Sequence, residues 1–302
     1  MYLDTRALVE GRTGFAIPGG IAGAAFTERE RKVDLTHVFR LDEAAGAKGG
    51  KGGGSGGGKP DKSGGGGDPG TFAPAPYTSG PSDPSAGFNI TVIFEGSWTQ
   101  SMYDTFVFVA DFFTSLIVGE LPNVRSTATG EEVLIDDVQI TASLIDIDGT
   151  GKVLGRAGPV SVRSESQTPV RSIMEFDIAD ADNYEGRGLF DDLVLHEMAH
   201  ALGFGALWDR FGLVDENSLY TGANAMAESL KLFGTEVIQV ETDGGGGTAG
   251  SHWDDRAYTN ELMTGYISDP NHFSTMSAAA FADIGYELAA DWRMVVENLN
   301  LA

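Results

Sequence analysis

The stretch DDLVLHEMAHALGFGALW, residues 191–208, places His196 and His200 four residues apart, with Glu197 between them. On a helix, residues four apart share one face, with Cβ atoms roughly 6 Å apart. Two imidazoles so placed can each bring a ring nitrogen to about 2.0–2.1 Å from a single zinc ion. Glu197 follows His196 by one residue, which rotates it about 100° around the helix axis. That puts its carboxylate beside the ion rather than on it, where it can take the proton of an attacking water and pass it to a leaving amine. The pattern H-E-x-x-H therefore predicts metal-assisted hydrolysis, with Glu197 as general base.

Two histidines do not complete such a site. A compact H-E-x-x-H-x-x-G-x-x-H motif needs histidine at position 206, where the chain has Ala206. Gly203 is expected to end the helix, since a left-handed residue suits glycine there. The chain must then return with a third ligand. His37 lies far upstream, and His272 follows Asp269, Pro270 and Asn271 in a turn-like loop. His252, in GGGGTAGSHWDD, follows a glycine loop whose backbone can approach the site closely, and it is the expected ligand. The rival is a glutamate on a second helix: Glu228 in NAMAESLKLFG fits better than Glu216 in VDENSLY.

The elements that must position these residues read as a mixed α+β arrangement. FNITVIFE (88–95) alternates as a half-buried strand does. Residues 99–118 form a long helix with Thr99 as its cap. Residues 131–148 and 170–180 are β-branched strands, and 188–203 is the helix that carries the motif, with Asp191 and Asp192 in its first turns. Upstream, residues 46–87 are rich in glycine, then proline, and are expected to form a linker that cannot offset its ordering entropy. It separates an N-terminal extension or propeptide, 1–45, from a catalytic unit, 88–302.

Composition narrows the function. The chain has 302 residues and a formal net charge of −24, which argues against a nucleic-acid partner and against anionic membranes. It has no cysteine, which excludes a thiol nucleophile, thiolate ligands and latency by a cysteine on the metal. No apolar run is long enough to span a membrane, and residues 15–26, interrupted by Pro18 and preceded by Asp4 and Glu10, do not read as an ordinary signal peptide. IDIDGTGKVLG (145–155) has the flavour of a calcium loop, but it lacks the full EF-hand spacing and reads better as a plain turn. Trp208 and Trp253, which flank the proposed ligands, are expected in the core.

The order HEMAHALGFGALW, GSHWDD, NELMTGYIS, TMSAAAFADIGYEL resembles the leishmanolysin-like (peptidase M8) zinc metallopeptidases, a metzincin family, in its bacterial form. The resemblance covers about residues 88–288 and is strongest from 189 on. It implies an insertion between His200 and a third histidine, His252, which stands 52 residues later. It also implies that Met263 is the methionine of a turn forming an apolar floor beneath the ligands. The implied fold is metzincin-like: a twisted mixed sheet with two long helices (88–203), and a smaller, irregular C-terminal subdomain (204–302) with a helix near 276–284. A substrate strand is expected along a sheet edge, with SIMEFDI as the candidate. The implied function is a zinc endopeptidase acting outside the cell on protein or peptide substrates. A non-catalytic zinc-binding or adhesion protein of the same fold is the alternative, and a hydrolase of non-peptide substrates is a weaker third. Some metzincins carry a metal-binding tyrosine two residues after the methionine; here that position is Gly265.

Overall fold

The computed structural model describes residues 27–32, 39–43, 70–127, 130 and 132–301. Three short N-terminal strands come first: β1 (Thr27–Glu28), β2 (Glu30–Lys32) and β3 (Phe39–Glu43). Next are β4 (Tyr77–Ser79), β5 (Ile90–Glu95) and helix α1 (Gln100–Leu116). After β6 (Asn123–Ser126) and β7 (Val133–Ile135) come three longer strands, β8 (Val138–Ile145), β9 (Val153–Arg163) and β10 (Pro169–Asp177). Helices α2 (Ile178–Arg187) and α3 (Phe190–Ala201) follow at once. The remainder holds α4 (Trp208–Phe211), β11 (Leu219–Tyr220), α5 (Ala223–Phe233), β12 (Ile238–Gln239), β13 (Tyr266–Ile267), α6 (Thr275–Asp283) and α7 (Trp292–Leu299).

The main sheet runs β13-β3-β9-β10-β8-β5-β4 and is mixed: β5, β8 and β10 are parallel, whereas β9 is antiparallel to β10 and β4 is antiparallel to β5. The alternation in β5 buries Ile90 and Val92. Thr99 caps α1 by accepting the Met102 N–H, and Met102, Phe106, Val109, Phe113 and Leu116 make its buried stripe. Phe106, Phe176 and Phe190 pack edge-on or tilted, joining α1, β10 and α3 into one core. The Ser172 hydroxyl, on β10, donates to the Ala201 carbonyl at 2.6 Å and ties the last turn of α3 to the sheet.

Several departures from the sequence reading have local causes. The strand expected over 131–148 breaks at Asp136 and Asp137. Asp137 is buried, and its carboxylate accepts the backbone N–H groups of Asn89 (2.6 Å) and Leu121 (2.8 Å). The strand expected over 170–180 stops at Asp177, which turns into the cap of α2 by accepting the Ala179 N–H. The same carboxylate accepts the N–H groups of Ile147, Asp148 and Gly149, so the IDIDG loop is gathered around a protein side chain rather than built as a calcium loop. Strand β9 carries no clear strand pattern in the sequence because Gly155, Gly158 and Pro159 punctuate it; its ladder with β10 shifts register twice, between Pro159 and Val162. SIMEFDI is not an edge, because β10 has β8 on one side and β9 on the other.

The expected linker does not extend over residues 70–87: β4 closes one end of the sheet and Phe72 pairs with Trp98. Residues 44–69 lie outside the described part, as does His37. Among the described residues no helix is long and apolar enough to cross a membrane.

Candidate metal centre

Helix α3 packs beneath β9, and His196, Glu197 and His200 are all fully buried on it. The helix ends at Ala201. Gly203 then adopts φ +107°, and a Cβ there would lie 2.7 Å from Leu207 Cδ1. The expected turn is therefore present, and it requires glycine for both conformation and space. Two residues on, Gly205 has φ +66°, and a Cβ would overlap the Ser251 carbonyl oxygen. This glycine lets the loop before His252 lie directly against the turn after the motif helix. Nothing in HALGFGALW singled out Gly205, since the clash is with a segment 46 residues away.

His252 is held on both sides. Its carbonyl accepts the Glu241 N–H at 2.9 Å, and the next residue, Trp253, donates its N–H to the Met263 carbonyl at 3.0 Å. Trp253 and Trp208 stack with ring centroids 4.7 Å apart, fully buried, so both tryptophans are core residues.

The three imidazoles converge. Nε2 of His200 is 2.9 Å from Nε2 of His196 and 2.9 Å from Nε2 of His252, and the remaining pair is 3.2 Å apart. Each Nδ1 faces a backbone carbonyl: His196 donates to Leu262 (2.8 Å), His200 to Phe204 (2.9 Å) and His252 to Thr248 (2.9 Å). With the ring protons on Nδ1, the three Nε2 atoms present only lone pairs to one another. A cation at their centre relieves that repulsion, so the donor set fits a divalent ion bound by three nitrogens. Burial pushes all three imidazoles below the ordinary histidine range, His252 to about 4, which keeps them neutral and able to ligate.

The other candidates lie elsewhere. Glu228 sits on α5 and bonds to Lys231 (2.6 Å) and Arg293 (2.5 Å). Burial raises its carboxyl, but hydrogen bonds from Arg293 and Lys231 outweigh this and hold it below the usual range. Glu216 is exposed in a loop. His272 is also exposed, and its backbone pairs with residues 260–262.

Met263 is fully buried, and the residue before it supplies the carbonyl that orients His196. Glu261, unnoticed in the sequence, fixes this turn. Its carboxylate accepts the Met263 N–H (2.5 Å), the Ser274 N–H (3.1 Å) and the Ser274 and Ser277 hydroxyls. At position 265 a Cβ would overlap the Thr248 methyl, on the residue whose carbonyl holds His252. That is a physical reason for glycine where related patterns carry tyrosine.

Gly205→Ala is expected to destabilise the fold by about 1–3 kcal/mol, the scale of a strained left-handed residue, and to weaken metal binding because it displaces the His252 loop. Urea unfolding and a chelator competition check this. Unchanged values in both would mean that the loop does not depend on this contact.

Residues 150–297 match the family model of leishmanolysin, peptidase M8. The chain is 30% identical over 155 residues to a leishmanolysin of Leishmania donovani, covering 46% of this chain and 26% of that protein. It is 32% identical over 107 residues to a leishmanolysin homolog of Crithidia fasciculata, covering 31% and 16%. A leishmanolysin of Leishmania major is 32% identical over 108 residues, covering 31% and 18%. The alignments thus span about a quarter or less of each relative's length. The matched segment contains His196, Glu197, His200, His252 and Met263, so it is in the part that carries the candidate centre that the chain is similar to the leishmanolysins.

Proposed function

We propose that the chain is a zinc-dependent endopeptidase acting on protein or peptide substrates outside the cell, with residues 88–302 as its catalytic unit, completed at one sheet edge by β4 from the segment before it, and 1–45 as an N-terminal extension. The observation that carries the reading is the cage of three Nε2 atoms 2.9–3.2 Å apart, each backed by a carbonyl on Nδ1. His196, His200 and His252 would hold the ion and leave a fourth position open. A bound zinc ion supplies Lewis acidity, polarising a carbonyl oxygen and acidifying water. Glu197, one residue along α3 from His196, takes the proton of the attacking water and returns it to the departing amine. Met263 packs beneath the ligands as an apolar floor, and the Glu261 contacts keep the Leu262 carbonyl aimed at His196. The family match supports a metallopeptidase, and the histidine cage supports zinc.

The test is casein hydrolysis by the zinc-loaded chain, with and without a chelator. Chelator-sensitive cleavage is expected. Zinc binding without cleavage, including by chain whose site has been opened, would favour a non-catalytic zinc-binding protein, a reading that the complete burial of Glu197 also fits.

The lowered histidine pKa values set the acid limit of metal binding. Above their folded-state values the rings are neutral, and protons compete with the ion only as pH falls through those values, towards about 4 for His252. Zinc content after dialysis is expected to be the same at pH 7.5 and pH 5.5. Loss of half the metal near pH 6.5, the ordinary histidine range, would contradict the buried, neutral cage.

A further inference from the structure

Three carboxylates converge where β5 and β8 begin. Asp136 and Asp137 form the turn between β7 and β8, and Glu120 lies in the connection between α1 and β6. One oxygen of each lies within 4.8 Å of the others, a separation that two oxygens held about 2.4 Å from a single ion can reach. Arg163 is fully buried beside them. Its guanidinium donates to the carbonyls of Asp136 (2.9 Å), Asp137 (2.7 Å), Pro122 (2.9 Å) and Pro169 (2.5 Å). Its one positive charge offsets one carboxylate of the three and leaves two negative charges in excess. Burial, with a smaller push from the neighbouring carboxylates, raises Glu120 to about 6 and Asp137 to about 7.

A second observation does not depend on charge. Asn89 is 4% exposed, and its Oδ1 has no hydrogen-bond partner. Its Nδ2 donates to the carbonyls of Ser79 (2.9 Å) and Pro81 (3.0 Å), which fixes the amide with the oxygen as the orphan. Asn89 and Asp137 stand opposite one another, one place before the Ile90–Val138 pair of the parallel ladder, so their side chains share a face of the sheet. The Asn89 N–H also donates to Asp137 Oδ2 at 2.6 Å. Asn89, Asp136 and Asp137 line one cavity of about 510 Å³. Asp136 Oδ2 is a further buried oxygen without a partner. Buried acceptors ordinarily find a donor. A divalent cation satisfies the orphan oxygens and the excess negative charge together.

We propose that Glu120, Asp136, Asp137 and the Asn89 Oδ1 form a calcium site that ties the connection after α1 to the starts of β5 and β8. All four ligands are oxygens, which selects a hard cation. Magnesium, which dehydrates reluctantly, fits a site built from four protein oxygens less well. The histidine cage takes no part, so the site stands whether or not the chain is a peptidase. Among the described residues, the other acidic cluster is Glu241 with Asp254 and Asp255, and there Arg256, 2.9 Å from Asp254, already supplies the cation.

The test follows thermal unfolding of the zinc-loaded 302-residue chain, dialysed free of calcium and titrated with CaCl2 at constant ionic strength. An ion that binds only the folded chain raises the midpoint, and a rise of about 5 °C or more at about 1 mM CaCl2 is expected, with less than half of it from MgCl2. Glu120→Gln with Asp136→Asn removes two ligand charges and keeps the side-chain sizes. The calcium affinity of this double variant should fall at least tenfold, while relief of like-charge repulsion leaves the calcium-free protein at least as stable as the parent. Glu120→Gln alone, at an exposed position, should weaken calcium at least threefold and gives the same reading should the double variant not fold. A midpoint that CaCl2 does not raise overturns the proposal. So does a calcium response that is the same in the variants as in the parent, since the ion would then sit elsewhere on this acidic chain.

Discussion

Glu197→Gln is expected to keep a full complement of zinc and to lose about 10²- to 10⁴-fold of the casein-hydrolysing activity, the range that a positioned proton-transfer group contributes. Zinc should be retained because the three nitrogens proposed to hold it belong to His196, His200 and His252, whose Nδ1 atoms are anchored to carbonyls that the substitution does not touch. Activity is lost because glutamine cannot accept the proton of the attacking water. The side chain is nearly isosteric, so its packing against Gly155 survives, and a stability loss is not the expected explanation. Metal analysis and hydrolysis rates on one preparation decide the matter. A variant that holds zinc and cleaves as fast as the parent would remove Glu197 from the chemistry.

His252→Ala and Glu228→Ala should separate completely in metal content. Without His252 the ion keeps only two nitrogens from one helix, and zinc content should fall to a small fraction of the parent's under the same dialysis. Glu228→Ala should leave zinc stoichiometry unchanged and show its effect in unfolding. It strips the partner from Lys231 and Arg293, the latter joining α5 to α7. Because both arginine and lysine are at least half exposed, solvent screens the pair, and the loss should be no more than about 1 kcal/mol. Full zinc in His252→Ala, or its loss in Glu228→Ala, would exchange the two roles.

Much of this site could be read before any coordinates, and the reasons are physical. His196, Glu197 and His200 sit on a helix, where spacing fixes direction, so residue order alone places them. The alternation of 88–95 and the cap and stripe of 99–118 are equally local signals. His252 was reachable through its glycine-rich approach and through resemblance to known relatives, because a contact 52 residues away in sequence leaves no periodic trace. Gly205 and Glu261 were not legible for the same reason: one is required by the Ser251 carbonyl and the other by Ser274 and Ser277, all distant in sequence. Short carboxylates explain where strands stopped early, since Asp137 and Asp177 capture backbone N–H groups from neighbouring segments. β9 was hidden by its own glycines and proline, although it forms the wall above Glu197. The position of β3 was the least visible of all, because five residues beside a glycine-rich stretch carry no sign of the edge they pair with.

X-ray absorption at the zinc edge, combined with anomalous diffraction from the zinc-loaded 302-residue chain, addresses the three-histidine cage itself. Three nitrogen donors at about 2.0–2.1 Å, assigned to Nε2 of His196, His200 and His252, are the expected result. An oxygen from a protein carboxylate in place of the His252 nitrogen, or zinc bound away from these three rings, would contradict it.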